Sequence, residues 1–161
     1  MKIKRCSPSD VKDVLRIFSD DSVFPWITDD GTMNKEALEK DILGALHNVR
    51  VYFLMPRVNT VIMLIPTNTI MYDVHVAAIE GGGRKHAADD AYNCLVWMIE
   101  KTKARKFTTM IPGYNRSAVF FARRCGMKKE GTLKEAYLKD DKLWGIEMYG
   151  ATDKEVLNKR S

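Results

Sequence analysis

The stretch Val74-His75-Val76-Ala77-Ala78-Ile79-Glu80-Gly81-Gly82-Gly83-Arg84-Lys85-His86-Ala87 decides the fold of this chain. It passes from an apolar run typical of a strand, through three consecutive glycines, into basic residues and a segment of helical periodicity. Glycines leave backbone N–H groups uncovered, so an anion can approach them closely, and the N-terminus of the following helix adds a favourable dipole. Arg84 and Lys85 add positive charge at the same turn. The pattern predicts a site for a phosphate-bearing ligand between the strand and the helix.

The glycine turn matches neither of two common nucleotide-binding patterns. It lacks the G-x-x-x-x-G-K-[ST] of phosphate-binding loops and the G-x-G-x-x-G of dinucleotide-binding folds. A flexible strand-to-helix turn with solvated basic residues and no bound ligand is equally consistent with this sequence. The three glycines alone therefore leave both interpretations open.

On the N-terminal side of this stretch, the sequence predicts a short strand, two helices and three further strands. Ser7 and Asp10 frame Pro8 as a capping box at the start of the first helix. The second helix has apolar residues at four-residue spacing over 34–47, and a loop rich in aspartate, with Phe24 and Trp26, precedes it. Short proline-containing connections between the three strands favour an antiparallel meander. The predicted strand ranges are 2–5, 49–55, 60–65 and 69–79.

On the C-terminal side, the sequence predicts a helix over 87–102, a strand over 106–111 and a helix over 116–125, which Gly126 ends. Two last strands, 129–138 and 142–149, form a hairpin. We therefore expect one α/β domain over residues 1–152, with the order β-α-α-β-β-β-α-β-α-β-β along the chain. A charged tail, 153–161, follows and is expected to fray.

The composition is that of one ordinary globular domain. The chain has 161 residues, of which 45% are hydrophobic and 29% charged, and this excludes the disordered class. The apolar runs at 61–65 and 94–99 are far shorter than the ~20 residues that cross a bilayer, and no apolar run follows the basic N-terminus as in a secretory signal. The three cysteines show no C-x-x-C pair, so we expect reduced thiols, no metal site and a cytoplasmic location.

The chain is mildly basic, with 26 Lys plus Arg against 21 Asp plus Glu, a net charge of +5. Such a balance suits an anionic partner, which includes a phosphorylated cofactor, an acidic protein or a nucleic acid. Nucleic acid is the weakest of these, because the basic pairs at 123–124 and 128–129 belong to no recognised nucleic-acid-binding module.

Three motifs in order along the second half of the chain resemble one protein family. They are the strand, turn and helix from Val74 to Trp97; the run from Ile111-Pro112-Gly113-Tyr114-Asn115-Arg116-Ser117-Ala118 to Cys125-Gly126-Met127; and Glu130-Gly131-Thr132-Leu133-Lys134-Glu135-Ala136-Tyr137 with Lys139-Asp140-Asp141 and Tyr149-Gly150. Together they resemble the GNAT superfamily of acyl-CoA-dependent N-acyltransferases. The third is most similar to the branch that acetylates ribosomal proteins and small molecules, including phage- and prophage-borne members.

This resemblance implies a mixed sheet with splayed central strands and acetyl-CoA as co-substrate, without a metal. It implies that backbone groups at Ala77, Ala78 and Ile79 bind the pantetheine arm and that Asn115 meets the cofactor across the splayed strands. It also implies that the turn holds the pyrophosphate, through Gly82, Gly83, Arg84, Lys85, His86 and Ala87.

The sequence departs from the family pattern at three positions. Gly82 stands where the family has arginine or glutamine, Lys85 where it has a second glycine, and Ala122 where it often has a tyrosine that acts as general acid. These departures motivate an alternative to catalysis: a GNAT-like phage protein without activity that serves as a virion or head-assembly accessory or as a binding module.

Three residues are candidates for acid–base catalysis. His75 lies on the strand beside the expected cleft, and histidine as a residue type, with a reference pKa near ~6.5, suits proton transfer, although a lone strand histidine is more often structural. Glu80 ends the same strand and Tyr114 precedes Asn115, but each fits a solvated or surface role as well. The aspartates at 20, 21, 29 and 30 would attract a cationic amine.

The sequence thus predicts an N-acetyltransferase that moves an acetyl group from acetyl-CoA to a primary amine of a protein or small molecule. The acceptor is unspecified, the protein is expected to be a monomer or homodimer, and a phage or host protein partner belongs to the alternative.

Overall fold

The helices and strands of the computed structural model, which describes residues 2–31, 34–81 and 84–159, follow the hydrophobic pattern of the sequence. The strands are β1 (Lys4–Arg5), β2 (Tyr52–Arg57), β3 (Thr60–Pro66), β4 (Met71–Ala78), β5 (Lys106–Pro112), β6 (Lys128–Lys139) and β7 (Lys142–Thr152). The helices are α1 (Val11–Ser19), α2 (Phe24–Ile27), α3 (Lys35–Leu46), α4 (Ala87–Lys101), α5 (Arg116–Arg124) and α6 (Asp153–Asn158).

The strands form one mixed sheet in the order β1-β2-β3-β4-β5-β7-β6. The meander β2-β3-β4 and the hairpin β6-β7 are antiparallel, as predicted from the short connections. The pair β4 and β5 is parallel, because helix α4 carries the chain from the end of one to the start of the other. The predicted α/β fold class, with its mixed sheet, is confirmed.

The two central strands diverge along their length. Parallel register joins Met71–Asp73 of β4 to Lys106–Thr108 of β5, yet β4 continues to Ala78 and β5 to Pro112. Beyond Asp73 the facing edges of the two strands therefore open a gap in the sheet. This is the splay that the family resemblance implies.

Alternation along the strands builds a core on each face of the sheet. Helices α4 and α5 cover one face, where Leu64, Val74 and Phe107 are buried. Helices α1 and α3 cover the other, where Met63 and Ala77 are buried. Burial of a Leu, Val, Phe or Met side chain in these cores contributes about 1.5–3 kcal/mol to folding.

The predicted capping box is present at the N-terminal helix. The backbone N–H and the hydroxyl of Ser7 both donate to Asp10 Oδ2, each at 2.8 Å. Lys4 Nζ donates to the other carboxylate oxygen at 2.6 Å, so Asp10 joins β1 to the start of α1.

Two segments differ from the sequence prediction. The loop after α1 contains the short helix α2, and the tail expected to fray contains α6, whose Val156 is fully buried. Thr152 and Glu155 form a reciprocal capping box at the start of α6, with Thr152 N–H donating to Glu155 Oε2 at 2.9 Å. The prediction of a frayed end is therefore wrong for Asp153–Asn158, while the boundary of the domain stays a prediction.

Among the helices of the described residues, none combines the length and the apolar character that a membrane span requires.

Candidate functional site

A cavity of about 440 Å³ fills the gap between the diverging ends of β4 and β5. Strand β4 contributes Val74, His75, Val76 and Ala78 to its wall, and β5 contributes 109–112. The start of α5 closes one side, and residues of α1, α2 and α3 close the face opposite α4. The cavity therefore connects the two faces of the sheet at the point where the strands separate.

His75 is the titratable side chain that β4 places in the cavity wall. Its Nε2 lies 2.9 Å from Asp73 Oδ2, two residues earlier on the same face of the strand. The two side chains are 43% and 27% exposed, so a ligand in the cavity can reach the imidazole. Thr108 of β5 stands beside this pair, with its hydroxyl 3.5 Å from Asp73 Oδ1.

The turn after β4 is tied to the loop between α1 and α2. Gly81 adopts φ +89°, a conformation that glycine takes without strain, and the Arg84 N–H then donates back to the Ile79 carbonyl at 3.1 Å. The Arg84 guanidinium donates to the Ser22 carbonyl at 2.8 Å, and the Glu80 N–H donates to the Ser22 hydroxyl at 3.0 Å. The positive charge of Arg84 therefore lies at the mouth of the cavity.

The turn leads into the N-terminus of α4, a helix of 15 residues. The first N–H groups of such a helix lack intrahelical acceptors, and its dipole favours negative charge. Lys85 and His86 precede this N-terminus in a 3₁₀ turn, and Ala87 is its first residue. This part of the site is suited to hold phosphate.

Asn115 caps α5 at the other side of the gap. Its Oδ1 accepts the Ala118 N–H at 3.1 Å, and its Nδ2 lies 3.5 Å from the Trp26 carbonyl. The cap fixes where α5 begins. The second contact joins the start of α5 to α2, so one side chain connects both walls of the cavity.

An aromatic cluster closes the side of the cavity next to the β6-β7 hairpin. Tyr114 is its centre, with ring centroids 6.2 Å from Trp26, 6.1 Å from Tyr137 and 5.3 Å from Trp144. Within the described part of the chain, the buried Tyr114 hydroxyl has no hydrogen bond of good geometry, although Tyr137 lies close enough to affect the pKa of Tyr114. Burial raises the pKa of Tyr114, and burial together with Tyr114 raises the pKa of Tyr137. Both phenols therefore stay protonated near neutral pH.

The predicted cofactor residues fall into three groups. Ala78, Arg84 and Asn115 line the cavity. Ala77 packs in the core beneath it, and the remaining described residues lie along the turn and the first residue of α4, namely Ile79, Lys85, His86 and Ala87. Gly82 and Gly83 lie outside the described residues.

The three catalytic candidates occupy different places. His75 lines the cavity, whereas Glu80 is exposed at the start of the turn and Tyr114 lies behind the wall, in the aromatic cluster. Tyr137 presents its side chain to the cavity where Tyr114 was expected. The position of Tyr137 could not be predicted from the sequence, because the bulges in β6 between 129 and 137 break the alternation that would show which side chains face inward.

The aspartates of the loop after α1 hold that loop in place. Asp20 Oδ1 accepts the N–H and the hydroxyl of Ser22, and Asp21 pairs with Lys35. Asp30 accepts the N–H groups of the hairpin turn at 140 and 141, and these bonds hold the pKa of its carboxyl below the ordinary value. The loop therefore keeps its negative charge beside the aromatic cluster.

The three thiols are free, and Cys94 and Cys125 are buried. Burial raises the pKa of the Cys125 thiol to about 11 and raises that of Cys94 further. Within residues 2–31, 34–81 and 84–159, no group of three or more His, Cys, Asp or Glu side chains is arranged to hold a metal ion.

Comparison with known proteins supports the fold through structure rather than through sequence. No protein-family model matches the chain, and no curated protein matches it in sequence. The structure superimposes on a spermidine N-acetyltransferase from Vibrio cholerae, solved in complex with CoA and spermine, with a TM-score of 0.78, 14% identity and 98% of each chain covered. It also superimposes on a protein of Streptococcus mutans UA159 with a TM-score of 0.74 and 15% identity, over 94% of this chain and 99% of that one.

The superposition on the Vibrio cholerae enzyme extends over the sheet and the helices on both of its faces. At 14% identity such a likeness concerns the path of the backbone and not the chemistry of the side chains. The chain therefore has the fold of the GNAT N-acetyltransferases, with splayed central strands and an open cavity between them.

Proposed function

We propose that this protein is an acyl-CoA-dependent N-acetyltransferase that moves an acetyl group from acetyl-CoA to a primary amine. The observation that carries the proposal is the cavity between the separated ends of β4 and β5, with a helix N-terminus and basic residues at one mouth. Its volume of about 440 Å³ lies in the range of small-molecule sites, ~300–1,000 Å³.

The shape of the gap suits an extended chain that carries amide groups. Beyond Asp73 the edges of β4 and β5 face the cavity, so their backbone groups need partners that the other strand does not supply. A pantetheine arm lying between them satisfies these groups and leads its phosphates towards Arg84, Lys85 and the start of α4. The thioester then lies near His75, where the strands separate.

The reaction needs positioned groups rather than a covalent intermediate. The free amine attacks the thioester carbonyl while backbone N–H groups stabilise the negative charge on its oxygen. His75 accepts the proton that the amine loses, and Tyr137, a protonated phenol in the wall, supplies a proton to the leaving thiolate.

For the acceptor, we propose a small cationic amine. Asp29 and Asp30 lie close enough to Tyr137 for their charges to raise its pKa, so they give this side of the cavity a negative potential. The Vibrio cholerae protein is a spermidine N-acetyltransferase, which supports a small molecule as acceptor here. The acceptor class of the ribosomal-protein branch, a protein N-terminus or lysine, is the competing prediction.

Calorimetric titration with acetyl-CoA tests the proposal, followed by mass spectrometry of amines incubated with enzyme and acetyl-CoA. Ala118 lines the cavity at the start of α5, so Ala118→Trp is expected to fill the gap and weaken acetyl-CoA binding more than tenfold. Ala37→Trp is the matched control, because Ala37 is exposed on α3. The absence of binding by the unaltered protein at millimolar acetyl-CoA would refute the proposal.

The alternative, an accessory protein without catalysis, has one structural observation in its favour. The Arg84 guanidinium, the best phosphate ligand of the turn, already donates to the Ser22 carbonyl. If that contact persists in the presence of CoA, the turn holds phosphate less firmly than the fold implies. This alternative predicts no acyl transfer and stable copurification with a larger particle.

A further inference from the structure

Asp73 and His75 form a close pair at the point where β4 and β5 separate. The distance from His75 Nε2 to Asp73 Oδ2 is 2.9 Å. Asp73 is the last β4 residue in register with β5, and its partner there is Thr108. His75, two residues further along, is the first residue on this face of β4 after register with β5 ends, and it lines the cavity.

The surroundings hold the carboxylate of Asp73 in place. On the neighbouring strand β3, Ile65 is in register with Asp73 and Met63 with His75, so apolar side chains flank the pair on that side. On the other side Thr108 Oγ1 lies 3.5 Å from Asp73 Oδ1. Asp73 therefore has a threonine hydroxyl at one oxygen and the imidazole at the other.

We propose that Asp73 is a positioning residue that fixes the tautomer and the orientation of His75 for proton transfer, a proposal that rests on the proposed acetyltransferase function. A carboxylate oxygen 2.9 Å away repels a ring lone pair and attracts an N–H group, so Asp73 favours the tautomer of the neutral imidazole with its proton on Nε2. Nδ1 is then the ring atom with a free lone pair. An orienting carboxylate of this kind is what sets the base tautomer in other histidine-dependent acyl-transfer sites.

The acetyl transfer needs no groups other than the amine, the thioester, His75, Asp73 and a proton donor. The amine nitrogen forms a bond to the thioester carbonyl carbon, and its proton passes to His75 Nδ1. The carbon–sulfur bond breaks with its electron pair on sulfur, and the thiolate takes a proton from Tyr137 or from water. The carboxylate of Asp73 stabilises the imidazolium that forms.

The experiment compares Asp73→Asn with Asp73→Glu in the full chain. The carboxamide can donate as well as accept, so in Asp73→Asn the Nε2–H tautomer loses its advantage. We expect kcat to fall by about tenfold to a hundredfold, within the range of a general-base contribution, with little change in the KM for acetyl-CoA. Asp73→Glu keeps the carboxylate and is expected to recover part of kcat.

A ¹⁵N spectrum of the histidine rings supplies a readout that does not need activity. The ring signals of His75 are assigned by their loss in His75→Gln, since the chain has two other histidines, His47 and His86. We expect the Nε2–H tautomer in the unaltered protein and a mixture in Asp73→Asn. Asp13→Asn is the matched control, because Asp13 pairs with Arg16 on the exposed surface of α1, and it is expected to change neither readout.

The outcomes separate this proposal from the proposed function. If the unaltered protein transfers acetyl groups and Asp73→Asn retains both kcat and the His75 tautomer, the role of Asp73 is refuted and the function stands. If the unaltered protein transfers no acetyl group with any amine tested, the function fails. An unaltered protein with the Nδ1–H tautomer would contradict the role of Asp73 in either case.

Discussion

Asn115 is expected to have two separable roles, one in stability and one in cofactor binding. Its Oδ1 caps α5 by accepting the Ala118 N–H at 3.1 Å, and its Nδ2 lies at the cavity, 3.5 Å from the Trp26 carbonyl. Asn115→Ala removes both groups. Asn115→Asp keeps the capping oxygen and replaces the donor by an acceptor.

The sizes of the two effects follow from these contacts. Loss of an Asn N-cap costs ~1 kcal/mol of folding free energy, which Asp restores because both are good caps. The contact to Trp26 is exposed and long, so its contribution to stability is small. A donor that binds the cofactor contributes about 0.5–1.5 kcal/mol, which corresponds to a loss of roughly twofold to tenfold in affinity.

Urea unfolding measures the first effect and calorimetric titration with acetyl-CoA the second. We expect Asn115→Ala to lose both stability and affinity, and Asn115→Asp to lose affinity alone. Asn34→Ala is the matched control, because Asn34 caps α3 in the same way, accepting the Ala37 N–H at 2.9 Å. It is expected to lose about the same folding free energy with no change in acetyl-CoA affinity.

Two results would refute this reasoning. If Asn115→Asp binds acetyl-CoA as well as the unaltered protein, the Nδ2 group does not contact the cofactor. If Asn115→Ala and Asn34→Ala reduce acetyl-CoA affinity equally, the effect of Asn115 is one of general stability.

Three further predictions concern stability and thiol reactivity. The Lys4 ammonium, together with Ser7, lowers the pKa of Asp10 to about 2, so this carboxylate contributes stability that is complete above pH ~4 and is lost as the pH falls towards 2. The difference in unfolding free energy between the unaltered protein and Asp10→Asn should therefore shrink as the pH falls over that interval. A constant difference would contradict the pairing of Asp10 with Lys4. Val156→Ala, at a fully buried position of α6, should cost about 2 kcal/mol in urea unfolding, whereas an unchanged midpoint would mean that α6 does not pack. Burial raises the pKa of Cys125 to about 11 and that of Cys94 further. Both thiols should therefore react with a disulfide reagent at pH 8 only after the protein unfolds. Rapid labelling of these two thiols in the native protein would contradict this expectation.

The structure corrects the sequence-based view of the C-terminus for a physical reason that can be named. Charge density suggested a tail that frays, yet Val156 of α6 is fully buried and Tyr92 of α4 donates its hydroxyl to the Val156 carbonyl at 3.2 Å. A capping-box pattern, Thr152 followed three residues later by Glu155, was present in the sequence and indicates a helix start. One buried valine among charged residues gives too little periodicity for a hydrophobic pattern to show.

The Asp73–His75 pair was not singled out from the sequence, although the strand pattern was sufficient to place both side chains together. Residues two apart on a strand face the same side, so the pairing follows from the strand prediction. Its position at the separation of β4 and β5 does not, because it depends on where the register with β5 ends. The position of Tyr137 depends even more on the tertiary structure, because a bulged strand distant in sequence brings this side chain to the cavity.

The sequence by itself determined the order of the helices and strands apart from α2 and α6, the antiparallel meander, the glycine turn before a helix and the resemblance to the GNAT superfamily. The first three follow from periodicity, capping and turn chemistry, which act over a few neighbouring residues, and the resemblance rests on three motifs in order along the chain. The tertiary structure alone decided that β4 and β5 separate after Asp73, that the gap encloses a cavity, and that Tyr137, not Tyr114, lines it. Such features depend on strand register and on packing between segments remote in sequence, where side chains compete for the same space.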